Sequence, residues 1–182
     1  MNKCLSSAEK EKLISIARES IISFINERPV PDFDVKEEQL LAGQGCFVTI
    51  KREGKLRGCL GQFTSDRPLH QLVKDMAIAA ATRDPRFYPM GCEDLESFEI
   101  EISVLSPLKK IESIEEIEVG KHGLYIEKNF YRGVLLPQVA VEHGWDRNTF
   151  LSQTCQKAGL DKNDWKEEAD IYTFIAEVFA ES

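Results

Sequence analysis

No stretch of this sequence approaches the about 18 to 20 consecutive apolar residues that a membrane-spanning helix requires. Met1 to Ser7 is followed by Glu9, Lys10, Glu11 and Lys12, so there is no apolar leader core and no small-residue cleavage site. A cytoplasmic protein with no membrane contact is expected. Cysteine is sparse: Cys4, Cys46, Cys59, Cys92 and Cys155 are scattered, odd in number and never form a C-x-x-C pair. That excludes a disulfide scaffold and fits reduced thiols. His70, His122 and His143 are far apart in sequence, so a zinc site, which draws on close Cys or His pairs, is not expected. The phosphate-binding G-x-x-x-x-G-K, the dinucleotide G-x-G-x-x-G, H-E-x-x-H and G-x-S-x-G are all missing. No cofactor and no metal are therefore expected.

What is present describes a folded globular chain. The 182 residues are 42% hydrophobic and 30% charged, with a net charge of −8. A chain of this length buries about 70% of its unfolded surface and needs no staple. The charge is uneven. Residues 91–120 carry nine acids against Lys109 and Lys110, whereas residues 51–90 carry eight bases against four acids. Overall acidity argues against general nucleic-acid binding, which needs a basic face. The local basic excess suits a small anionic ligand or an acidic partner.

Helical periodicity covers residues 7–28, where Leu13, Ile14, Ala17, Ile21 and Ile25 share a face and Ser6 with Glu9 has the form of a capping box. Pro29 and Pro31 are expected to end it. Residues 29–44 read as a connection and 46–63 as a β-hairpin turning at Glu53-Gly54. Gly58 and Gly61 within its second strand point to a bulge or a close approach. Residues 68–82 read as a helix, with Asp66 as its cap. Residues 97–105 alternate as a half-buried strand. A second hairpin is expected over 123–136 across Lys128-Asn129, then a short helix from Pro137, a helix from Asp146 to about Ala158, and a closing strand over 171–179. Leu56-Arg57-Gly58-Cys59-Leu60 and Tyr131-Arg132-Gly133-Val134-Leu135 echo one another, so a duplicated hairpin-plus-helix unit is a hypothesis. It requires Arg57 and Arg132 to lie on returning hairpin strands.

Three segments could carry chemistry. In Leu56-Arg57-Gly58-Cys59-Leu60-Gly61, a thiol between glycines can be exposed beside free N–H groups, and Arg57 would favour the thiolate. Cys59 is then a candidate nucleophile with an oxyanion pocket, or else a small packed hydrophobe. In Thr82-Arg83-Asp84-Pro85-Arg86-Phe87, Asp84 and Arg86 form either an anion clamp or a helix stop fixed by its own ion pair. Glu142 and His143 are the only adjacent acid and imidazole, which makes His143 a candidate base for Cys59; a capping or interface role is the alternative.

These segments, with Leu135-Leu136-Pro137-Gln138-Val139-Ala140-Val141-Glu142-His143-Gly144-Trp145-Asp146, resemble the AMMECR domain family over nearly the whole chain. The hallmark usually has Ile where Leu60 stands. The resemblance implies an α+β protein with a mixed, largely antiparallel sheet, helices packed on it, and two lobes within one domain. The lobe boundaries are expected at about 1–110 plus 170–182 and about 111–169. It also implies a system, AmmeMemoRadiSam, shared with a Memo-like protein and a radical-SAM protein, in which this chain is an accessory or partner-binding component. The hallmark positions Arg57, Gly58, Cys59 and Gly61 carry the family's suspected function, with Asp84, Arg86 and Glu142 beside them as ligand- or partner-binding candidates. The alternative is a cysteine-dependent enzyme using Cys59 on a small anionic or carbonyl substrate.

Overall fold

The structure is a computed structural model that describes residues 4–181. The chain forms two compact units, one of residues up to Leu105 together with those from Glu177, the other of Ser106–Ala176.

The first unit opens with α1 (Ser7–Ile25), started by the expected capping box: Glu9 N–H donates to Ser6 Oγ at 3.3 Å, and Ser6 N–H donates to the Glu9 carboxylate at 2.8 Å. The helix stops before the prolines. The Asn26 side-chain amide donates to the Ile22 carbonyl at 2.8 Å, and Glu27 turns left-handed at φ +54°. The connection contains a short helix, α2 (Glu38–Leu41), that has no periodic signal; it is held by the fully buried Leu40. β1 (Cys46–Arg52) and β2 (Lys55–Gln62) pair antiparallel around Glu53-Gly54, both at positive φ, as a tight hairpin turn demands. α3 (Leu69–Thr82) begins at Pro68, and Asp66 does not cap it. A cap contributes about 1 kcal/mol, whereas burying Leu69 and Leu72 contributes roughly 2 kcal/mol each, so packing outweighs the cap in fixing this start. β3 (Glu99–Leu105) pairs antiparallel with β1. Its Ile100, Ile102 and Val104 join Val48, Ile50, Leu13 and Leu72 in one core.

The second unit holds β4 (Lys109–Lys110), β5 (His122–Lys128), β6 (Tyr131–Leu135), α4 (Pro137–Glu142), α5 (Arg147–Ala158) and β7 (Asp170–Ala180), whose last residues belong to the first unit. β5 pairs antiparallel with β6 and with β7. The turn falls at Asn129-Phe130, one residue later than the sequence indicates, because Lys128 pairs with Tyr131. Asp146 caps α5 by accepting the Thr149 N–H at 2.8 Å, and Gly159 ends it at φ +82°. Phe150, Leu151, Thr154 and Cys155 face inward as expected. The pattern of β7 is strand, in line with the poor helix preference of Tyr172, Thr173 and Phe174.

Arg57 and Arg132 both lie on returning hairpin strands, so the requirement of the repeat is met. The following glycine also plays the same part in each unit. A Cβ on Gly58 would lie 2.1 Å from the Ala80 carbonyl oxygen of α3, and one on Gly133 would lie 2.6 Å from the Ala158 nitrogen of α5. The match is incomplete, since the proline-entered helix of the second unit is α4, not α5.

Among the described residues no helix is long and apolar enough to cross a membrane.

Candidate functional site

Two motifs far apart in sequence meet at the edge of β2. The register of the hairpin slips by one residue: Ile50 pairs with Gly58, but Lys51 pairs with Leu56. Arg57 is the extra residue of a β-bulge. An unbroken hairpin would set Cys59 opposite the fully buried Val48. The bulge sets it opposite Thr49, on the other face of the strand pair, where the residue is half-buried. The Thr49 hydroxyl donates to Cys59 Sγ at 3.2 Å.

β2 pairs with β1 on one side only. The backbone N–H of Cys59, which the ladder leaves unpaired, donates to Asp84 Oδ2 at 2.8 Å. Asp84 is 5% exposed, and Arg86 grips it twice, Nε to Oδ1 at 3.0 Å and Nη2 to Oδ2 at 2.7 Å. The Arg86 N–H adds a bond to Oδ1 at 3.1 Å. Arg86 above all, then the Cys59 and Arg86 N–H groups, hold the Asp84 carboxyl well below the usual carboxylate range, against the opposing effect of burial. Asp84 in turn raises the Arg86 guanidinium, with a smaller contribution from the negative form of Cys59.

Arg57 does not serve the thiol. Its Nη1 donates to the Tyr88 carbonyl at 2.9 Å and its Nη2 to Asp94 Oδ2 at 3.0 Å. Asp94 also receives Arg52 at 2.7 Å and the Gly91 N–H at 3.0 Å. Burial opposes its charge, but the Gly91 N–H, Arg57 and Arg52 outweigh burial and keep the carboxyl low. The segment after α3 is therefore tied at both ends: Phe87 N–H donates to the Asp84 carbonyl at 3.1 Å and Met90 N–H to the Ala81 carbonyl at 2.8 Å. Tyr88 nonetheless stands 91% exposed.

The sequence-derived residues thus divide. Arg57, Gly58, Cys59, Asp84 and Arg86 come together. Gly61 is a packing glycine: a Cβ there would meet the Cys46 carbonyl at 2.3 Å and the Phe47 ring at 2.5 Å. Glu142 and His143 belong to the second unit, where both are exposed at the end of α4 and the His143 ring stacks on Trp145 at 4.7 Å. The oxyanion idea also changes, because the Cys59 N–H is already committed to Asp84. Sequence reasoning missed Thr49, Tyr88 and Asp94; only the register slip and the 3-10 turn at Cys92–Glu96 bring them in. Among the described residues no three His, Cys, Asp or Glu side chains group so as to hold a metal ion.

The family model AMMECR1 matches residues 14–179. The chain belongs to the AMMECR1 family. Its AMMECR1 relatives include Protein MK0488 of Methanopyrus kandleri, 39% identical with 100% of this chain and 92% of that protein covered. Protein TK0174 of Thermococcus kodakarensis is 41% identical, covering 94% and 89%. The solved structure of Uncharacterized Protein PH0010 from Pyrococcus horikoshii superposes with a TM-score of 0.81 at 38% identity, over 94% of this chain and 91% of that one. The α+β architecture is thus that of a known AMMECR1 relative.

Proposed function

We propose that this AMMECR1 protein is a non-catalytic, partner-binding component of a system with a Memo-like and a radical-SAM protein, and that it docks through the segment after α3. The observation that carries this reading is the use made of the hallmark. Arg57 binds Asp94 and Tyr88, and the Cys59 N–H binds Asp84. These groups fasten a loop instead of converging on an open substrate position. The fastened loop displays Tyr88 and the outer side of Arg86, while Leu56, next to Arg57, is also exposed. Aromatic and arginine side chains on a rigid support are the composition of binding hot spots. Co-expression with the Memo-like protein tests the reading. A complex that co-elutes on size exclusion and is lost in a folded Arg57→Ala variant supports it; no complex, or one indifferent to that change, overturns it.

A second reading is a thiol enzyme acting through Cys59. It is favoured by the Thr49 hydroxyl, which donates to Sγ at 3.2 Å. It predicts that iodoacetamide at neutral pH labels Cys59 ahead of the other four thiols. Labelling no faster than a free model thiol removes the reason for it.

A further inference from the structure

We propose that the segment Arg83–Tyr88 receives an acidic segment of the partner protein, with Arg83 and Arg86 holding carboxylates and Tyr88 packing against the apolar part of the same segment. This rests on the partner-binding reading above and adds the chemistry of what is bound. The segment carries two guanidiniums and one carboxylate, Asp84, which is buried and already accepts from Arg86 and from the Cys59 N–H. Its charge is turned inward. Arg83 is exposed and makes no ion pair or hydrogen bond through its side chain among the described residues. Arg86 uses Nε and Nη2 on Asp84 and keeps Nη1 for an outside acceptor, with its side chain 55% exposed. Its guanidinium also lies 5.5 Å from the centre of the Phe87 ring.

Rigidity is the next element. Bonds at Asp84, Phe87, Tyr88 and Met90 fix the backbone, so presenting these side chains costs little further ordering on binding. A planar guanidinium in a fixed place suits bidentate capture of a carboxylate. Tyr88 offers a large ring with two rotatable side-chain bonds, an anchor of low entropic cost. The occupant follows from the charge balance of the whole chain. At net −8 the protein repels polyanions at a distance, so an acidic segment is held only where local cations outnumber available carboxylates. Within residues 51–90, Lys51, Arg52 and Arg57 are already matched by Glu101 and Asp94, whereas Arg83 and the outer Nη1 of Arg86 are not matched among the described residues, which makes the segment after α3 that place.

The test uses purified full-length protein and two fluorescein-labelled probes, a Glu-rich peptide containing Leu and the same peptide with Gln for Glu, followed by anisotropy at low salt. Arg83→Glu and Tyr88→Ala are the informative variants, since neither side chain supports the fold; circular dichroism checks that. The expected result is binding of the Glu peptide but not the Gln peptide, weakened about tenfold or more by Arg83→Glu, weakened by Tyr88→Ala, and lost as salt rises. Equal binding of the two peptides, no binding of the Glu peptide, or affinity unchanged in Arg83→Glu overturns the inference. The co-elution experiment with the Memo-like protein is scored separately: its failure overturns the partner reading whatever the peptides do, and a complex whose Glu probe does not bind leaves that reading standing without this chemistry.

Discussion

The main-chain N–H of Cys59 donates to the buried carboxylate of Asp84 at 2.8 Å, so the glycine-flanked hallmark and the Asp-Pro-Arg-Phe turn are two halves of one fastening. An edge strand offers unpaired N–H groups that can recruit foreign strands. Here one of them is closed by a side chain from the segment that follows the adjacent helix. The same closure positions Tyr88 and Arg86, and thereby links a sequence motif to a displayed surface.

Removing that carboxylate should loosen the fastening. Asp84→Ala leaves the Cys59 N–H without its acceptor and Arg86 without its anchor, and is expected to destabilise the first unit by about 2 kcal/mol. Asp84→Asn should cost less, because the amide oxygen still accepts from Cys59. Urea unfolding midpoints measure both, and equal midpoints for all three proteins would contradict the role given to Asp84.

The acid dependence follows from the same group. Its carboxyl is lowered in the fold from an ordinary 3.8, so the stability it contributes is present above that value and is lost as pH falls through the lowered one. The stability difference between the wild type and Asp84→Asn should therefore be constant from neutrality to about pH 5 and shrink below pH 4. Chemical denaturation across that range reads it directly. A difference that stays constant down to pH 2 would show that the charge of Asp84 contributes nothing.

Close backbone approach gives a sharper prediction. Gly58→Ala places a methyl group 2.1 Å from the Ala80 carbonyl oxygen, where only movement of β2 away from α3 can relieve it. Overpacking of this kind costs about 3 kcal/mol or more when backbone has to shift. Gly54→Ala meets no neighbouring atom but sits at φ +72°, so its cost should be only about 1 kcal/mol. Thermal melts of the two variants should rank in that order.

The thiols should separate into classes. Burial pushes the Cys46 thiol up to about 12 and raises that of Cys155 as well, and both side chains are fully enclosed. Alkylation of the native protein at pH 8, followed by peptide mass mapping, should modify Cys4 and Cys92 and leave Cys46 and Cys155 untouched until denaturant is added. Native labelling of Cys46 would mean that the core of the first unit opens readily.

Much of the fold was legible because the local signals agree with the packing. The capping box at Ser6, the turn at Glu53-Gly54, the inward face of α5 and the stop at Gly159 all follow from residue chemistry within a few positions. What escaped was non-local. Gly58 within the strand pointed to a bulge or a close approach, and both are there, but the residue at which the register slips was not readable; the slip at Arg57 decides that Cys59 lies beside Thr49 instead of beside Val48. Arg57 looked like a partner for the thiol by spacing, but Asp94, some forty residues on, competes for it and wins with a charged hydrogen bond. Asp66 looked like a cap, but the burial of Leu69 and Leu72 sets the helix start. The pairing of Asp84 with Arg86 was readable; that their joint purpose is the Cys59 N–H was not.

On the proposed partner-binding reading, the hallmark works by holding a surface and not through its sulfur. Titration calorimetry of the Memo-like protein into Cys59→Ser and Tyr88→Ala, side by side with the wild type, tests this most directly. Wild-type affinity is expected for Cys59→Ser and about tenfold or greater weakening for Tyr88→Ala. Affinity lost on changing the sulfur and kept on removing the exposed ring would contradict it.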